Sequence, residues 1–350
     1  METTDNSLYP LLFRPNLHTV IWGGSRLSEW KGLGPQDKVG ESWEVSAVPG
    51  SSSVVDNGVW AGMTLPDVIA RMPEAFLGGR VAEQYNNKLP LLVKFIDAEQ
   101  NLSIQVHPND EMAQREHGKF GKTEMWYVVD AKPGACLYVG FRKHISHEEF
   151  RQRVADGTIC DVLAKHEVHT GDVFYIPAGR IHAICGGILL AEVQQSSDVT
   201  YRVYDYNRVG MDGKPRQLHV DLAEQAVNFE VEKEYRTVYE ADESRAVPVI
   251  ESPFFSVRVT DVTAPFHRNL VKYDSFIISV CLKGSCKIKI RSTQCEVELK
   301  AGCSCLIPAA IADYDIIPMQ GTARVLDAFI DKKDNNLYSK LTRFLHITEK

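Results

Sequence analysis

The chain has 350 residues, of which 44% are hydrophobic, and this length predicts about two domains with sizeable cores. Its formal net charge is −7 and no run rich in Lys or Arg stands out, so neither nucleic acid nor an anionic membrane is an expected partner. The longest apolar runs are too short to span a bilayer, and the opening stretch METTDNSLYP lacks the basic and apolar regions of a signal peptide. These features predict a cytoplasmic protein.

The eight cysteines are not spaced for a zinc-binding motif or a disulfide framework. The sequence has no Cys-x-x-Cys, and Cys136, Cys160 and Cys185 are isolated from one another. The other cysteines, from Cys281 to Cys305, mostly lie inside apolar or alternating strand patterns. We therefore expect buried free thiols, as in a protein of the reducing cytosol.

Helix signals come first in residues 64–85, TLPDVIARMPEAFLGGRVAEQY. Thr64 is the expected N-cap, and Pro66 falls in the first turn, where proline is tolerated. Strands are predicted next for residues 89–96 and 102–107, and two more in TEMWYVVD and ACLYVGF.

A second helical stretch is predicted over residues 146–167, SHEEFRQRVADGTICDVLAKHE. Ser146 is the expected cap, Glu149 occupies the capping-box position, and apolar residues recur along one face. Strands then return in DVFYIP, AICGG, ILLAEVQQ and TYRVYDY, and a further helix is predicted near DLAEQAVNF.

Residues 230–245 are rich in charge and poor in apolar side chains, which is typical of a connection between domains. From Pro248 onward, short segments such as FSVRVTDV and SCKIKIRS alternate apolar and polar residues, with glycine at the turns. Many short antiparallel strands of this kind predict a closed barrel or a jelly roll. We therefore expect a mainly β protein with an N-terminal domain over residues 1–230, including helical insertions, and a C-terminal domain over residues 231–350.

A repeated pattern supports a duplication. GDVFYIPAGRIHA begins at Gly171 and GCSCLIPAAIADY begins at Gly302, and in both segments a proline follows the glycine at the same offset. The first segment then places His182 where the second places Asp313. Because both segments have strand-like flanks, we interpret them as two copies of one domain, of which only the first keeps a working site.

Polar residues that interrupt the strands of the first domain suggest a metal site. Gln105 and His107 are two apart on a predicted strand and so share one face. Glu124 heads the next strand, and His182 follows the Pro-x-Gly turn. Two neutral imidazoles and one carboxylate suit zinc, manganese, iron or nickel, and Gln105 would add a carbonyl oxygen.

These motifs resemble those of a known family. GDVFYIPAGRIH fits the second cupin motif, Gly-x5-Pro-x-Gly-x2-His, and QVHP with the later Glu124 stands in for the first motif, with glutamine replacing its first histidine. Together with IWGG, GESWEVSAVP, LSIQVHPND, GKTEMWYVVD and QQSSDVTYRVYDYNR, they resemble type I phosphomannose isomerases of the short bacterial form. The resemblance covers nearly the whole chain and implies two cupin-like jelly-roll β-barrels with a few peripheral helices, the C-terminal one degenerate.

By position, the resemblance implies that Gln105, His107, Glu124 and His182 bind one zinc ion per chain, and that Arg202 is catalytic. Lys122 falls on a family lysine two residues before the glutamate ligand. Long-form members have His-Lys-Pro-Glu here, whereas this chain has Gly-Lys-Thr-Glu, with Gly121 in place of the histidine. The sequence therefore does not identify the group that opens the sugar ring.

The implied reaction interconverts D-mannose 6-phosphate and D-fructose 6-phosphate. It moves a proton between C2 and C1 through a cis-enediolate, whose negative charge a nearby metal ion would stabilise. Lys122 and Glu192 are the two candidates for carrying the proton, and the sequence does not choose between them. Lys94, Ser103 and Asp198 match substrate-binding or phosphate-binding positions of the family, and Arg202 would stabilise the enediolate or bind phosphate.

Two other functions remain open at this point. One is another metal-dependent cupin enzyme, such as a non-haem iron oxygenase, although Gln105, Lys94 and Lys122 count against it. The other is a non-enzymatic sugar-binding cupin, against which the complete ligand set and Arg202 count. The oligomeric state cannot be predicted from these patterns.

Overall fold

The structure, a computed structural model, describes residues 8–34, 38–243 and 245–331. Most of the N-terminal stretch METTDNSLYP therefore lies outside the described residues. Seven α-helices lie within them: α1 (Arg26–Trp30), α2 (Leu65–Arg71), α3 (Pro73–Leu77), α4 (Gly79–Gln84), α5 (Asp110–His117), α6 (His147–Ala155) and α7 (Val220–Ala226). None of these helices is both long and apolar enough to cross a membrane.

Strands dominate the described part of the chain. The strands up to residue 237 are β1 (Leu11–Leu12), β2 (Leu17–Gly24), β3 (Val39–Val45), β4 (Leu91–Ala98), β5 (Ile104–Val106), β6 (Glu124–Ala131), β7 (Cys136–Phe141), β8 (Leu163–Glu167), β9 (Val173–Ile176), β10 (His182–Ile184), β11 (Ile188–Gln195), β12 (Tyr201–Tyr204) and β13 (Arg236–Thr237). The later strands are β14 (Val247–Glu251), β15 (Ser256–Val262), β16 (Phe266–Asn269), β17 (Ile277–Lys283), β18 (Ser285–Ile290), β19 (Glu296–Lys300), β20 (Ser304–Ile307), β21 (Asp313–Pro318) and β22 (Ala323–Phe329).

The predicted helix caps are confirmed, but the second predicted helical stretch is too long. Thr64 accepts a hydrogen bond from the backbone N–H of Asp67, and Ser146 accepts one from that of Glu149. Residues 64–85, which carry the helix signals, form three short helices, because Pro73 starts a new helix and Gly78 adopts a φ of 90°. In the second stretch the helix ends at residue 155, and Leu163–Glu167 pairs as strand β8, so a helical assignment to residue 167 is wrong.

Backbone contacts divide the chain into two compact units that alternate along the sequence. The central unit comprises Leu17–Trp43 and Leu92–Val238, and the terminal unit comprises Met1–Asn16, Glu44–Leu91 and Tyr239–Lys350, as far as these are described. The division into domains over residues 1–230 and 231–350 stays a prediction.

The central unit contains two antiparallel sheets. One has the strand order β12-β5-β10-β7-β8 and the other the order β13-β9-β6-β11-β4-β2-β3. Apolar side chains from both sheets, such as Val139 on β7 and Trp126 on β6, fill the space between them. A second cluster packs α6 and α7 on the outer face of the smaller sheet, with Phe150 and Ala223 against Ile104. The helices therefore cover one side of a β-sandwich.

The terminal unit repeats this plan with fewer strands. Its sheets have the orders β16-β21-β18-β19 and β1-β20-β17-β22-β15-β14. Their shared core includes Ile277, Ile288, Val297, Tyr314 and Val325. Ile288, Val297 and Tyr314 come from strands in which buried residues alternate with more exposed ones, so the period-2 pattern marks their buried face, whereas β17 and β22 are buried along nearly their whole length.

The two units share one strand order, as expected of a duplication. The run β5-β10-β7-β8 corresponds to β16-β21-β18-β19, and β9-β6-β11-β4 corresponds to β20-β17-β22-β15. The predicted mainly β, cupin-like fold is confirmed, whereas a closed barrel is not found among the described strands. Each unit is instead a sandwich of two open sheets, which is the double-sheet form of a jelly roll. All eight cysteines, which lie in the described residues, are free thiols, and five of them are buried as predicted, whereas Cys160, Cys295 and Cys303 are partly exposed.

Candidate metal centre

Three side chains that could ligate a metal ion meet inside the central unit. His107 directly follows β5, Glu124 is the first residue of β6, and His182 is the first residue of β10. Their ligand atoms all lie within 4.8 Å of one another and all three residues are buried. Within residues 8–34, 38–243 and 245–331 this is the one such group of three or more, so the predicted proximity of these residues is confirmed.

Hydrogen bonds to main-chain carbonyls orient both imidazoles. His107 Nδ1 donates to the carbonyl oxygen of Val199 at 2.9 Å, and His182 Nδ1 donates to that of Arg180 at 2.8 Å. Each ring therefore turns an unprotonated Nε2 toward Glu124. This arrangement, in which a second group fixes the tautomer and the ring plane, is typical of metal-binding histidines.

The Pro-x-Gly turn explains how His182 reaches this position. Gly179 adopts a φ of +88°, and a Cβ there would lie 2.9 Å from the carbonyl oxygen of Ala226. Its N–H donates to the carbonyl oxygen of His107 at 2.8 Å. Glycine is therefore required both by the backbone conformation and by the close approach, and the turn ties the two histidines together.

The charges of the site favour a cation. Burial lowers the pKa of His107 well below its usual value and that of His182 to about 3, so both rings are neutral. Burial and the neighbouring carboxylate of Glu192 raise the pKa of Glu124 to about 7. Glu124 Oε1 is buried, makes no hydrogen bond and lies 3.3 Å from His182 Nε2. The deprotonated carboxylate of Glu124 and the two imidazole Nε2 atoms would together offer three ligand atoms, a donor set that a divalent ion fits.

Gln105 joins the group through strand pairing. It lies opposite His182 on β10 and opposite Arg202 on β12, so the three side chains share one face of the smaller sheet. Its amide nitrogen lies 3.3 Å from His182 Nε2, within reach of the same space. Arg202 Nη1 donates to the carbonyl oxygen of Gln217, while its buried Nε has no hydrogen-bond partner among the described residues.

Lys122 and Glu192 lie beside one another next to the ligand group. Lys122 Nζ is 3.1 Å from His107 Nε2, donates to Glu124 Oε2, and is 3.9 Å from Glu192 Oε1. Trp126 Nε1 donates to Glu192 Oε2 at 2.9 Å, which leaves Oε1 without a hydrogen bond. Both proton-transfer candidates therefore border the same buried space.

Lys94 is buried between carboxylates. Its Nζ lies 3.5 Å from both Glu41 and Glu192 and 4.6 Å from the centre of the Trp43 ring. Trp43 Nε1 in turn donates to Glu41 at 2.6 Å. Sequence reasoning did not single out Glu41 and Trp43, although they are two residues apart in GESWEVSAVP and so share one face of β3.

The remaining candidates differ in placement. Ser103 is buried and, two residues before Gln105, lies on its face of the chain. Asp198 is exposed and pairs with Lys119 at 2.6 Å, so the structure does not bring it to the ligand group. At Gly121 a Cβ would lie 2.6 Å from the backbone of Asn109, so no side chain fits there without a shift of the chain.

The corresponding positions of the terminal unit lack this chemistry. The residue opposite Asp313 is Asn269, just as Gln105 lies opposite His182. Ser279 lies opposite Asp327, as Trp126 lies opposite Glu192. Glu124 is two residues before Trp126, and the residue two before Ser279 is Ile277. An apolar side chain thus replaces the carboxylate ligand, and an acid replaces the histidine.

The fold and the site together define a cupin-type protein with a buried group of two histidines and one glutamate that could hold a metal ion. The sequence matches the family model "Phosphomannose isomerase type I, catalytic domain" over residues 11–136 and "Mannose-6-phosphate isomerase, cupin domain" over residues 247–327. The mannose-6-phosphate isomerase ManA of Bacillus subtilis is 33% identical over 310 residues, which cover 88% of this chain and 95% of the relative.

Two further comparisons agree. The mannose-6-phosphate isomerase of Streptococcus mutans is 43% identical over 213 residues, or 61% of this chain and 66% of the relative. A crystal structure of mannose 6-phosphate isomerase from Bacillus subtilis matches with a TM-score of 0.80 and 32% identity, and covers 91% of this chain and 99% of that one. The chain belongs to the type I phosphomannose isomerase family, which confirms the resemblance seen in the sequence.

Proposed function

We propose that this protein is a metal-dependent aldose–ketose isomerase that interconverts D-mannose 6-phosphate and D-fructose 6-phosphate in the cytoplasm. The observation that supports this most strongly is the buried group His107, Glu124 and His182 in a chain of this family. Residues 1–230 form the catalytic domain of this proposal and residues 231–350 the degenerate one.

We propose zinc as the ion, one per chain, with Gln105, His107, Glu124 and His182 as its ligands. One carboxylate and three neutral ligands leave a net positive centre around a divalent ion. When bound, the ion supplies Lewis-acid stabilisation of negative charge on the substrate oxygens. Because the two histidines and Gln105 are neutral, only Glu124 offsets the positive charge of the ion. The remaining positive charge suits an anionic transition state.

The chain's own residues carry the remaining roles. Lys122 and Glu192 are the candidates that move the proton between C2 and C1, because both border the ligand group. Glu192 Oε2 accepts from Trp126, so its orientation is fixed before substrate binds. Arg202, on the face of Gln105, presents a guanidinium group to the negative charge that develops, while Ser103 and Lys94 contribute to substrate binding. Asp198 pairs with Lys119 away from the ligand group and has no role in this proposal.

A coupled assay tests this proposal directly. Metal-replete protein is given mannose 6-phosphate, formation of fructose 6-phosphate is followed, and the metal content of the same sample is measured. We expect turnover that tracks zinc content, with Glu124→Gln as the inactive control. Absence of interconversion by protein that holds a full equivalent of metal, whether zinc, manganese, iron or nickel, would rule the activity out.

A further inference from the structure

Two cysteines lie directly opposite one another at one end of the β7–β10 pair. In the register of these strands Ile184 lies opposite Leu137. One step further along this register brings Cys185 opposite Cys136, and the N–H of Cys185 donates to the carbonyl oxygen of Cys136 at 3.2 Å. The two thiols, although far apart in the sequence, are therefore held as nearest cross-strand neighbours.

The spacing of such a pair suits a disulfide. Residues of an antiparallel pair that share a backbone hydrogen bond typically have Cα atoms about 5.5 Å apart. Disulfides join Cα atoms that are about 4.4–6.8 Å apart. The thiols of Cys136 and Cys185 are also hydrogen-bonded to one another. A bond between their sulfur atoms therefore requires no change in the pairing of the two strands.

Both thiols lie on the outer face of the smaller sheet, away from the candidate metal ligands. Cys185 is two residues after Ala183 and Cys136 is two residues before Tyr138, and these neighbours belong to the cluster that packs α6 and α7 on that face. Cys136 is 7% exposed and Cys185 is 6% exposed. The pair is therefore separate from the metal centre and keeps a small accessible surface, which suits a small solute such as hydrogen peroxide.

A cation lies beside one of the two thiols. Lys165 on β8 lies opposite Tyr138 and so shares the outer face with Cys136. A hydrogen bond with the Cys185 thiol, together with the ammonium group of Lys165, lowers the pKa of Cys136 to about 7, although burial opposes this shift. The same hydrogen bond and burial raise the pKa of Cys185. Cys136 is therefore the nucleophile of the pair, and Cys185 is the thiol held next to it.

The terminal unit offers an internal comparison. Cys281 lies next to Cys286, with a hydrogen bond between their thiols, and its N–H donates to the carbonyl oxygen of Cys303. Cys281 and Cys286 are both 0% exposed, and among the described residues no cationic side chain contributes to the lowered pKa of Cys281. Proximity alone is thus common to both groups of thiols, whereas solvent access and a neighbouring cation distinguish Cys136.

We propose that Cys136 and Cys185 form a reversible redox site, with Lys165 as its activating cation, at which hydrogen peroxide oxidises the two thiols to an intrachain disulfide. The thiolate of Cys136 attacks one peroxide oxygen, the O–O bond breaks, and hydroxide leaves and takes up a proton, so that Cys136 becomes a sulfenic acid. The sulfur of Cys185 then attacks that of Cys136, the S–O bond breaks, and hydroxide leaves with the proton of Cys185 as a second water. Two thiols and one peroxide thus give one disulfide and two waters, and a thiol reductant reverses the change.

Peptide mapping of peroxide-treated protein tests the site. Reduced, full-length protein is exposed to hydrogen peroxide at pH 7, free thiols are alkylated at intervals, and disulfide-linked peptides are identified by mass spectrometry. We expect a bond between Cys136 and Cys185 that forms before any bond in the terminal unit and that dithiothreitol removes. Cys136→Ser and Cys185→Ser should each prevent it. Cys295→Ser, which removes a partly exposed thiol elsewhere, is the matched control and should leave it unchanged.

Lys165→Met tests the activating cation. It should slow disulfide formation about 5-fold at pH 7, because a rise of about one unit in the pKa of Cys136 cuts the thiolate fraction from about one half to about one tenth. Lys143→Met removes an exposed lysine that pairs with Glu149 and should leave the rate unchanged. Equal rates in both lysine variants would overturn the activating role of Lys165.

The urea midpoint provides a readout that does not depend on isomerase activity. The disulfide closes a loop that contains α6, β8 and β9, so oxidised wild type should have a higher urea midpoint than reduced wild type. Cys136→Ser should show no such difference. A lower midpoint after oxidation, a bond from either cysteine to Cys160 instead, or oxidation of the thiols in the terminal unit at the same rate would overturn the proposed site.

Discussion

Glu192 and Trp126 lie directly opposite one another on β11 and β6, and the indole N–H donates to the carboxylate at 2.9 Å. The terminal unit repeats this relationship, since Asp327 lies opposite Ser279 and accepts a hydrogen bond from its hydroxyl at 2.6 Å. Both units therefore have a buried acid at this position, Glu192 in one and Asp327 in the other, although the terminal unit lacks the candidate metal ligands beside it. In the terminal unit, Arg268 and Tyr314 complete its partners.

The first prediction is that replete protein holds one tightly bound divalent ion per chain. In the terminal unit Asn269, Ile277 and Asp313 replace three of the four ligands, and an apolar side chain cannot bind a cation. Elemental analysis of protein dialysed against metal-free buffer measures this ratio. Two ions per chain that survive dialysis, or one that survives in His182→Ala, would contradict it.

The second prediction is that chelation abolishes turnover but not the fold. The apolar cores of both sandwiches are built without the ligand residues, unlike the core of a zinc finger, which needs its metal to fold. Circular dichroism and activity should be followed on one sample before and after chelation, and again after zinc is restored. Activity that persists once metal loss has been verified would remove the ion from the mechanism.

The third prediction separates a ligand from a charge-stabilising residue. His182→Ala should lose metal and activity together. Arg202→Met keeps the ligands, so the metal should stay bound while kcat falls about 100-fold or more, as when one preorganised electrostatic donor is removed. If Arg202 only binds phosphate, KM rises and kcat is nearly unchanged. Wild-type values of both constants would place Arg202 outside the site.

The fourth prediction concerns the buried acid of the terminal unit. The side chains of Asp327 and Arg268 are 1% and 7% exposed, so Asp327→Asn leaves a buried cation without its counter-charge. We expect the free energy of unfolding to fall by about 3–5 kcal/mol, measured by urea denaturation. Asp56→Asn breaks an ion pair whose partners are both 58% exposed and should cost less than about 1 kcal/mol. Equal effects of the two substitutions would refute this account.

The fifth prediction is a pH dependence at Asp205. Burial raises its pKa, but hydrogen bonds from Arg216 and Arg208 outweigh burial and leave the pKa below 3.8. A depressed pKa in the folded state stabilises the protein above the unfolded value, and this contribution is lost as the pH falls through the folded value. The difference in urea midpoint between wild type and Asp205→Asn should be constant from about pH 5 to 8 and shrink below about pH 4. A difference in urea midpoint that grows as the pH falls would contradict a depressed pKa of Asp205 in the folded protein.

Local patterns predicted what depends on neighbours in sequence. The alternation of apolar residues gave most of the strands, and the two-residue spacing of Gln105 and His107 gave their common face. The caps at Thr64 and Ser146 were correct for the same reason, since a cap hydrogen bond spans three residues.

Other features depend on pairings that no local pattern records. Glu41 meets Lys94 only because β3 and β4 share a sheet, since the two residues are 53 positions apart in the sequence. Asp205 lies on the same face of β12 as Arg202 only because of a bulge between Arg202 and Tyr204. A strict period of two would have placed Asp205 on the opposite face. The end of α6 was misplaced because Leu163–Glu167 pairs with β7, and this tertiary pairing overrides the helical pattern.

The alternation of the two units along the chain has a consequence for synthesis on the ribosome. Strand β1, near the N-terminus, pairs with β20, so Leu11 must wait for Leu306 before its backbone hydrogen bonds can form. At about 5–20 residues per second, the partner emerges roughly 15–60 s later. The segments of the central unit, which holds the candidate metal ligands, are all translated before β14 to β22, so this unit can assemble while the terminal unit is still incomplete. During that interval strand β1 lacks its partner β20.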